Sequence, residues 1–368
     1  SWLLIFAGQE WMNYILIDRS RPMQAGIEIQ VQQFTPADSK DWAAFVEAHP
    51  KATLFHHVGW HDVIKQGLRH RPLSLVARCG RKIEGVLPLA EVKSLLFGHS
   101  LISTPGCVYG GVLSYREDVH AALIEHARAL ATKLGVDVLE LRHTEDIQPD
   151  WPTSDIYCRF RKQISGDDEI NMKAVPRKQR AMVRKGINVG LKAETTADVG
   201  RFYTIYAESV RNLGTPVFPL RYFQTLADVF HEFCEMLIVT HDGKDIAGVM
   251  SFYYRDEVLP YYGGSRPVAR RLYGNDFMYW ALMCRAARHG SRIFDFGRSK
   301  KESGAFAFKK NWGFEPSPLY YQYYLVRADG IPNTNPNNPK YRYLIQMWKR
   351  LPLPLANLIG PMLSRHLG

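Results

Sequence analysis

The residues best suited to chemistry lie in one stretch, FDFGRSKKESGAFAFKKNWGFEP, from Phe294 to Pro316. Its apolar start predicts a strand, so Arg298 would stand at a strand end, where α/β sheets bind ligands. Lys309 and Lys310 follow a glycine-containing loop, and adjacent ammonium groups could stabilise an oxyanion or a phosphate. The alternative is a solvated loop. The DFG triplet does not indicate a kinase, because no HRD, glycine-rich loop or VAIK lysine precedes it.

A second stretch, NMKAVPRKQRAMVRKG, begins at Asn171 and contains basic but no acidic residues. Pro176 suits a helix start. On that helix Arg177, Arg180 and Arg184 fall at i, i+3 and i+7, which places three guanidinium groups on one face. Guanidinium forks match phosphate geometry. We therefore favour phosphate binding here over the alternative of a solvated helix face.

A third stretch, RLYGND, precedes another helical pattern and contains Arg271, Gly274 and Asn275. A glycine turn that opens a helix exposes backbone N–H groups able to hold a pyrophosphate. The turn is similar to the R/QxxGxG/A turn with which GNAT acetyltransferases hold coenzyme A. Asp276 replaces the second glycine, and its carboxylate would repel a phosphate. An ordinary helix start is the alternative.

An internal repeat indicates which elements position these residues. The segment GRKIEGV at Gly80 reappears as GKDIAGV at Gly243, each between apolar runs that predict a strand, a glycine turn and a strand. Glycine pairs, amphipathic helices and strands ending in Arg142 or Arg298 follow in the same order. A duplicated α/β unit explains this order most simply.

The repeat sets the expected domains. We predict an α/β fold with mixed sheets, built from two GNAT-like (acyl-CoA N-acyltransferase) domains at 27–162 and 163–328. Residues 329–368 would be a Pro/Asn linker and a helix that packs back on the first domain. Residues 1–26 would be an upstream extension outside the fold. Tyr262, which precedes the second glycine pair at a strand end, is expected to face a ligand.

Composition limits the classes of function. The 368 residues are 46% hydrophobic, which suffices for two cores, and the net charge of +11 suggests a polyanionic partner. Five scattered cysteines without a CxxC pair suggest neither a zinc site nor a disulfide framework. His57 and His61 lack an HExxH pattern, so no metal site is predicted. No stretch predicts a transmembrane helix, and a cytoplasmic location fits best.

The stretch FDFGRSK, the following glycine loop and FKKNWGFEP resemble the FemAB family, particularly the branch beside exosortase (PEP-CTERM) and exopolysaccharide gene clusters. Characterised FemAB relatives transfer an amino acid from aminoacyl-tRNA to an amine of a peptidoglycan precursor. The resemblance implies that Lys309 stabilises charge during the reaction and that Phe308 is its aromatic neighbour. It also implies that Arg177, Arg180 or Arg184 grips the diphosphate of the acceptor.

Together these patterns predict transfer of an acyl or aminoacyl group to an amine of a cell-envelope or exopolysaccharide intermediate. The donor would be acyl-CoA or aminoacyl-tRNA, with no tightly bound cofactor, and the acceptor a diphosphate-bearing or polysaccharide molecule at the inner face of the membrane. The basic tail helix could touch that membrane. The alternatives are a non-catalytic scaffold that binds anions or polysaccharide precursors, and a tRNA-binding module.

Overall fold

Apolar alternation and glycine turns divide the chain into short elements, and a computed structural model describes residues 28–94, 98–332 and 339–364. The extension expected at 1–26 lies outside these residues. The strands are β1 (Ile29–Gln33), β2 (Arg71–Pro72), β3 (Leu75–Cys79), β4 (Lys82–Leu87), β5 (Ala90–Ser94), β6 (Gly98–Ile102), β7 (Leu113–Ser114), β8 (Val138–His143), β9 (Thr153–Ser154), β10 (Tyr157–Gln163), β11 (Lys192–Thr196), β12 (Cys234–His241), β13 (Lys244–Tyr254), β14 (Glu257–Ser265), β15 (Ile293–Lys300), β16 (Pro316–Pro318) and β17 (Tyr320–Leu325).

Helices alternate with these strands, as expected for an α/β fold. They are α1 (Ser39–Ala48), α2 (Trp60–Asp62), α3 (Glu117–Leu134), α4 (Asp168–Ala174), α5 (Arg177–Asn188), α6 (Val199–Leu213), α7 (Leu220–Val229), α8 (Pro267–Arg271), α9 (Gly274–Arg288), α10 (Gly304–Asn311), α11 (Pro339–Arg350) and α12 (Leu353–Ser364). Short 3-10 turns lie at Pro36–Asp38 and Leu54–His56, and α2 continues into a π-helical turn at Val63–Leu68.

The repeated segments form equivalent hairpins in the two halves. β3 pairs with β4 and β12 pairs with β13, both antiparallel and both with a register shift just before the turn. The turns contain Gly80 at φ +61° and Gly243 at φ +72°, in the left-handed region that glycine adopts without strain. The mixed α/β fold with a duplicated unit is therefore confirmed.

The described strands form three sheets. The second half carries one sheet in the order β11-β12-β13-β14-β15-β10-β16. The first half carries two, β1-β3-β4-β7 and β2-β5-β6-β8-β17-β9. Pro88 explains part of this difference, because it separates β4 from β5 where β13 continues unbroken. A proline has no N–H to donate to a sheet.

The two halves exchange strands, which the sequence repeat does not reveal. β10 follows the first half but pairs with β15 and β16 of the second. β17 follows the second half but pairs with β8 and β9 of the first. The expected boundary at 162/163 thus falls inside β10, so each half is completed by a strand from the other side of that boundary.

Arg255 also ties the halves together, from the tight turn between β13 and β14. Its guanidinium donates hydrogen bonds of 2.9–3.4 Å to carbonyl oxygens at and beyond the end of α1, on Val46, Glu47, His49, Pro50 and Ala52. Carbonyls at a helix C-terminus lack partners within the helix. Arg255 therefore caps α1 from the other half of the chain.

The final helices pack differently from expectation. We expected the C-terminal helix to pack on the first domain, but α11 and α12 pack on α6 of the second half. Close contacts hold them there, because Ile345 of α11 packs against Gly214 and Gly360 of α12 packs against Val217. Among the described residues, no helix is both long enough and apolar enough to cross a bilayer.

Candidate functional site

The candidate site lies where β14 and β15 separate. These strands run parallel but pair only at Glu257↔Ile293 and Val258↔Phe294. β15 stays paired with β10 as far as Lys300. In that pairing Phe296 and Gly297 both lie opposite Phe160, which makes a bulge with Gly297 at φ +65°. The two parallel strands thus diverge beyond these pairs, next to the bulge.

Lys309 holds this bulge from α10. Its Nζ donates to the carbonyl oxygens of Phe296 at 2.6 Å, Arg298 at 2.9 Å and Gly297 at 3.4 Å. The ammonium lies 5.6 Å from the centre of the Phe160 ring. Burial lowers the pKa of Lys309 to about 8, although the charge of Asp295 favours protonation. A desolvated cation is therefore fixed at the strand end that the sequence singled out.

Arg298 leaves the bulge between two aromatic rings. Its Nη1 donates to the hydroxyl of Tyr321 at 2.9 Å, and the guanidinium lies 4.7 Å from the centre of the Tyr157 ring. Burial opposes its charge, but Tyr321 and Tyr157 raise the pKa of Arg298 further above its ordinary value. The half-buried Arg298 is thus a second fixed positive charge beside Lys309.

The first half contributes a loop, residues 103–111, to the same region. Three of its successive carbonyls accept hydrogen bonds from side chains: Gly106 from Tyr261 at 2.6 Å, Cys107 from Arg142 at 2.8 Å and Val108 from Tyr321 at 2.5 Å. Buried backbone outside a sheet needs such partners. The loop is therefore held rigidly against β14 and the end of β15.

Asp295 joins this loop to the bulge. It is 1% exposed and accepts a hydrogen bond of 3.0 Å from the hydroxyl of Tyr109, while its other oxygen accepts one of 2.7 Å from the Gly297 amide. Burial and the charge of Asp295 raise the pKa of Tyr109, so the phenol stays protonated and donates. One buried carboxylate thus aligns both halves with the Gly297 bulge.

The basic helix α5 spans the distance between the two other candidate stretches. Its first turn meets the end of α10, where Pro176 contacts Gly313. Near its other end, Lys185 lies 5.0 Å from the centre of the Tyr273 ring, beside the turn that opens α9. A 12-residue helix is about 18 Å long, so α5 borders both places.

The three arginines of α5 differ in their surroundings. Arg180 donates to the carbonyls of Lys173 and Val175 and caps the end of α4, so it has a structural role. Arg177 and Arg184 are exposed, and within the described part of the chain neither has a recorded acidic partner. The structure therefore leaves Arg177 and Arg184, rather than Arg180, available to an anion.

The turn that opens α9 is compact. Gly274 lies against Ala269, so closely that an added Cβ would be 2.9 Å from the Ala269 Cβ, and the side chain of the N-cap residue Tyr273 makes no capping hydrogen bond. Asp276 accepts a hydrogen bond of 2.9 Å from Trp312 Nε1, and burial raises its pKa. Burial thus favours the neutral form of Asp276, which weakens the expected repulsion of a phosphate. Arg271 is exposed and Asn275 half-buried.

Three other expected site residues also find their places. Lys310 is exposed, and no hydrogen bond or ion pair to it is recorded among the described residues. Phe308 packs 5.6 Å from Tyr279 beside the bulge. Tyr262, which we expected to face a ligand, is buried in an aromatic cluster, with its hydroxyl 2.8 Å from that of Tyr222. A bulge next to Tyr262 changes the strand alternation, so this tyrosine belongs to the core.

Sequence patterns assigned no site role to the groups that connect the two halves: Tyr109, Arg142, Asp295 and Tyr321. An acidic residue inside the apolar segment IFDF was a usable signal for Asp295, since buried carboxylates need partners. Tyr109 and Tyr321 gave no such signal, because aromatic residues usually fill cores.

The described residues contain no cluster of three His, Cys, Asp or Glu side chains suited to a metal ion. His61 shows why its cluster is structural. Its two ring nitrogens lie 2.8 Å from the Val58 carbonyl oxygen and 2.9 Å from the Ser74 hydroxyl, and its ring stacks on Phe34.

Comparison with known proteins identifies a domain that includes this site. Residues 172–310 match the family model "Acetyltransferase (GNAT) domain", and this range includes α5, the turn before α9 and Lys309. No curated protein sequence matches the chain. GNAT domains typically use acyl-CoA as the donor.

Solved structures share the fold over most of the chain. A crystal structure of FemX is 17% identical, with a TM-score of 0.61, and covers 81% of this chain and 98% of its own. A tandem GNAT protein from the clavulanic acid biosynthesis pathway is 16% identical, with a TM-score of 0.55, over 80% and 98%. The C-terminal domain of a protein named as a lysylphosphatidylglycerol synthetase from Agrobacterium fabrum is 12% identical, with a TM-score of 0.53, over 78% and 91%. The chain therefore has the tandem GNAT fold, and its residues 172–310 carry an acetyltransferase (GNAT) domain.

Proposed function

We propose that the protein is a FemAB-like transferase that moves an acyl or aminoacyl group from a donor to an acceptor amine. The observation that carries the proposal is the buried ammonium of Lys309 beside the opening between β14 and β15. A cation in a site of low polarity stabilises a developing oxyanion far better than one in water. The GNAT match over 172–310 includes this site.

The reaction proceeds by direct attack. The acceptor nitrogen adds to the acyl carbonyl carbon, the tetrahedral oxyanion collapses, the bond from carbon to the leaving sulfur or oxygen breaks, and the nitrogen loses its extra proton to solvent. Lys309 can exchange its weakest hydrogen bond, 3.4 Å to Gly297, for the oxyanion. Arg298 contributes positive charge nearby. Burial raises the pKa of Cys107, Cys158, Cys234 and Cys284, which makes these thiols poor nucleophiles for a covalent intermediate.

We assign the donor to acyl-CoA. Its diphosphate would lie at the start of α9, near Gly274, Asn275, Arg271 and Lys185. Burial raises the pKa of Asp276, which favours its neutral form and weakens its repulsion of an anion there. The acceptor would be an amine on a cell-envelope or exopolysaccharide intermediate at the cytoplasmic face of the membrane. Its diphosphate would be held by Arg177 and Arg184 at the exposed side of α5.

The first experiment measures which donor the folded protein binds. We expect acyl-CoA thioesters to raise the melting temperature of the full chain, because a ligand that binds only the folded state stabilises it. Aminoacyl-tRNA and a nucleotide-diphosphate sugar serve as competing ligands. A shift with aminoacyl-tRNA alone would replace acyl-CoA as the donor. A shift with the sugar nucleotide and no turnover of any donor would favour a non-catalytic scaffold.

The second experiment tests the site with two neighbouring lysines. Lys309→Met should lower turnover by about a hundredfold or more, measured as acyl transfer to an amine by mass spectrometry. Lys310→Met is the matched control, because Lys310 is exposed and should be replaceable without loss. Equal activity of the two variants, at unchanged melting temperature, would remove Lys309 from the mechanism.

A further inference from the structure

Helix α12 buries its small side chains and exposes its large apolar ones. The residues it buries are small, Ala356, Gly360 and Ser364, each four positions apart. The residues it exposes are large and apolar, at i, i+3, i+4 and i+7: Leu355, Leu358, Ile359 and Met362. A helix on the surface of a globular protein normally buries its large apolar residues. In α12 this arrangement is reversed.

Close packing fixes this orientation. Gly360 lies against the backbone of Val217, where an added Cβ would be 3.1 Å from the Val217 nitrogen. In the preceding helix, Ile345 packs against Gly214, and Arg211 donates to the Lys349 carbonyl at 3.2 Å. Rotating α12 to bury its leucines would force those side chains into the space that only glycine and alanine fit. The apolar side chains are thus held outward.

The elements packed beside α12 also expose apolar residues. Leu344 and Met347 of α11 are exposed, and so is Leu213 at the end of α6. We call these three residues, with the four exposed apolar residues of α12, the C-terminal apolar face. It contains seven of the twelve large hydrophobic residues that are exposed in the described part of the chain, and Leu358 is 70% exposed. Apolar residues grouped in this way mark an interaction surface.

The charge of this segment indicates the partner. After Asp329 the sequence contains five Lys and Arg residues and no Asp or Glu: Lys340, Arg342, Lys349, Arg350 and Arg365. Apolar residues combined with only positive charge complement an anionic lipid surface, which offers hydrocarbon below a layer of negative headgroups. A second copy of the chain would bring two positively charged segments together, which is unfavourable.

We propose that the C-terminal apolar face docks on the surface of an anionic lipid bilayer, with α11 and α12 lying along the headgroups. The large side chains enter the boundary between headgroups and acyl chains, and the positive charge of the segment attracts it to the anionic headgroups. The proposal does not depend on acyl transfer. It would bring the second half of the molecule close to lipid-attached substrates.

The test is sedimentation of the full chain with lipid vesicles. We expect the wild-type protein to bind vesicles of phosphatidylcholine and phosphatidylglycerol (7:3) at least tenfold more strongly than pure phosphatidylcholine vesicles, with weaker binding in high salt. The double variant Leu358→Glu, Met362→Glu should lose at least tenfold in binding to the mixed vesicles. Ile170→Glu is the matched control, because Ile170 is an exposed isoleucine of α4, and should bind as the wild type does.

The outcomes separate this proposal from the proposed function. Lys309→Met should bind vesicles normally, so a failure of catalysis leaves the docking result unchanged. Failure of the wild-type chain to sediment with the mixed vesicles would overturn the proposal whether or not the variant folds. A dimer that the double variant dissociates, without vesicle binding, would assign the face to a second copy instead.

Discussion

The two halves share a fold but differ at the equivalent point, where two parallel strands stop pairing. In the second half β14 and β15 separate, and Lys309 and Arg298 stand beside the gap. In the first half the gap beyond the β6–β8 pairing is bridged by residues 103–110, since the Arg142 amide donates to the Ser103 hydroxyl and the Arg142 carbonyl accepts from the Gly110 amide. Among the described elements, β8 is followed by the strand β9, whereas β15 is followed by the lysine-bearing helix α10.

The strand-end arginines show the difference most clearly. Arg142 is 2% exposed, and its donors are used by Glu140 at 2.6 Å and the Cys107 carbonyl. Arg298 is half-buried and bonds to the hydroxyl of Tyr321. Both guanidinium groups lie near the one Tyr321 ring, at 5.1 and 5.7 Å. Of the two equivalent arginines, Arg298 is therefore the more accessible, whereas Arg142 has a structural role.

Replacing each arginine would test that division of roles. Arg142→Ala should lower the free energy of unfolding by about 3–5 kcal/mol, because it breaks a largely buried ion pair and leaves the Glu140 carboxylate, 12% exposed, without this partner. Arg298→Ala should lower the free energy of unfolding by only about 1 kcal/mol. It should instead lower turnover. Urea denaturation and turnover of the same preparations check both. Equal stability losses would mean that the two positions have the same role.

Acid should weaken the first half through its histidines. Burial lowers the pKa of His56 to about 4 and that of His143 to about 3, while both would titrate near 6.5 when unfolded. The unfolded state therefore binds more protons as the pH falls below 6.5, and stability declines. Each histidine should lower the free energy of unfolding by about 2 kcal/mol between pH 6.5 and 5. Urea denaturation at several pH values should give a shallower decline for His143→Gln; an unchanged slope would contradict this account.

Alkali should affect the second half through Lys309. Its pKa of about 8 is below that of a free lysine, so the ammonium is lost as the pH rises through 8. If the charged form stabilises the oxyanion, turnover should fall roughly tenfold per pH unit above that value. Lys309→Arg keeps a cation at all these pH values and should flatten the profile, which also corrects for titration of the acceptor amine. Parallel profiles for both proteins would exclude Lys309 as the titrating group.

A smaller effect is expected where the halves meet. Tyr109→Phe removes the donor to Asp295 and should lower the free energy of unfolding by about 1 kcal/mol. Turnover should also fall, since Asp295 orients the Gly297 amide. Tyr115→Phe is a control, because the Tyr115 hydroxyl bonds to the Ala48 carbonyl at the surface of the first half. Equal effects of the two substitutions on turnover would mean that the loop at residues 103–111 does not contribute to the site.

Local patterns predicted the duplicated fold well, because turn glycines and strand alternation act over a few residues. The hairpins at Gly80 and Gly243 are examples. The same reasoning identified the stretch that carries Arg298 and Lys309 as a candidate site. The strand exchange of β10 and β17 was not predictable, since each pairs with a strand far away in the sequence.

The candidate site also depends on contacts that the sequence pattern could not predict. The spacing of Arg177, Arg180 and Arg184 predicted a shared helix face, but it could not show that Arg180 would cap the carbonyl at Val175. The C-terminal helices show it again, because packing on α6 depends on the absence of side chains at Gly214 and Gly360. Such contacts arise between residues far apart in sequence, where patterning gives no information.

The exchanged strands also impose an order in time. During synthesis β8 emerges long before β17, so the edge of its sheet stays unpaired until Tyr320–Leu325 leave the ribosome. An unpaired edge is a template for aggregation. Nascent chains of this protein should therefore depend on chaperones until most of the sequence is made, and chains that terminate early should be cleared by proteases rather than persist as a folded first half.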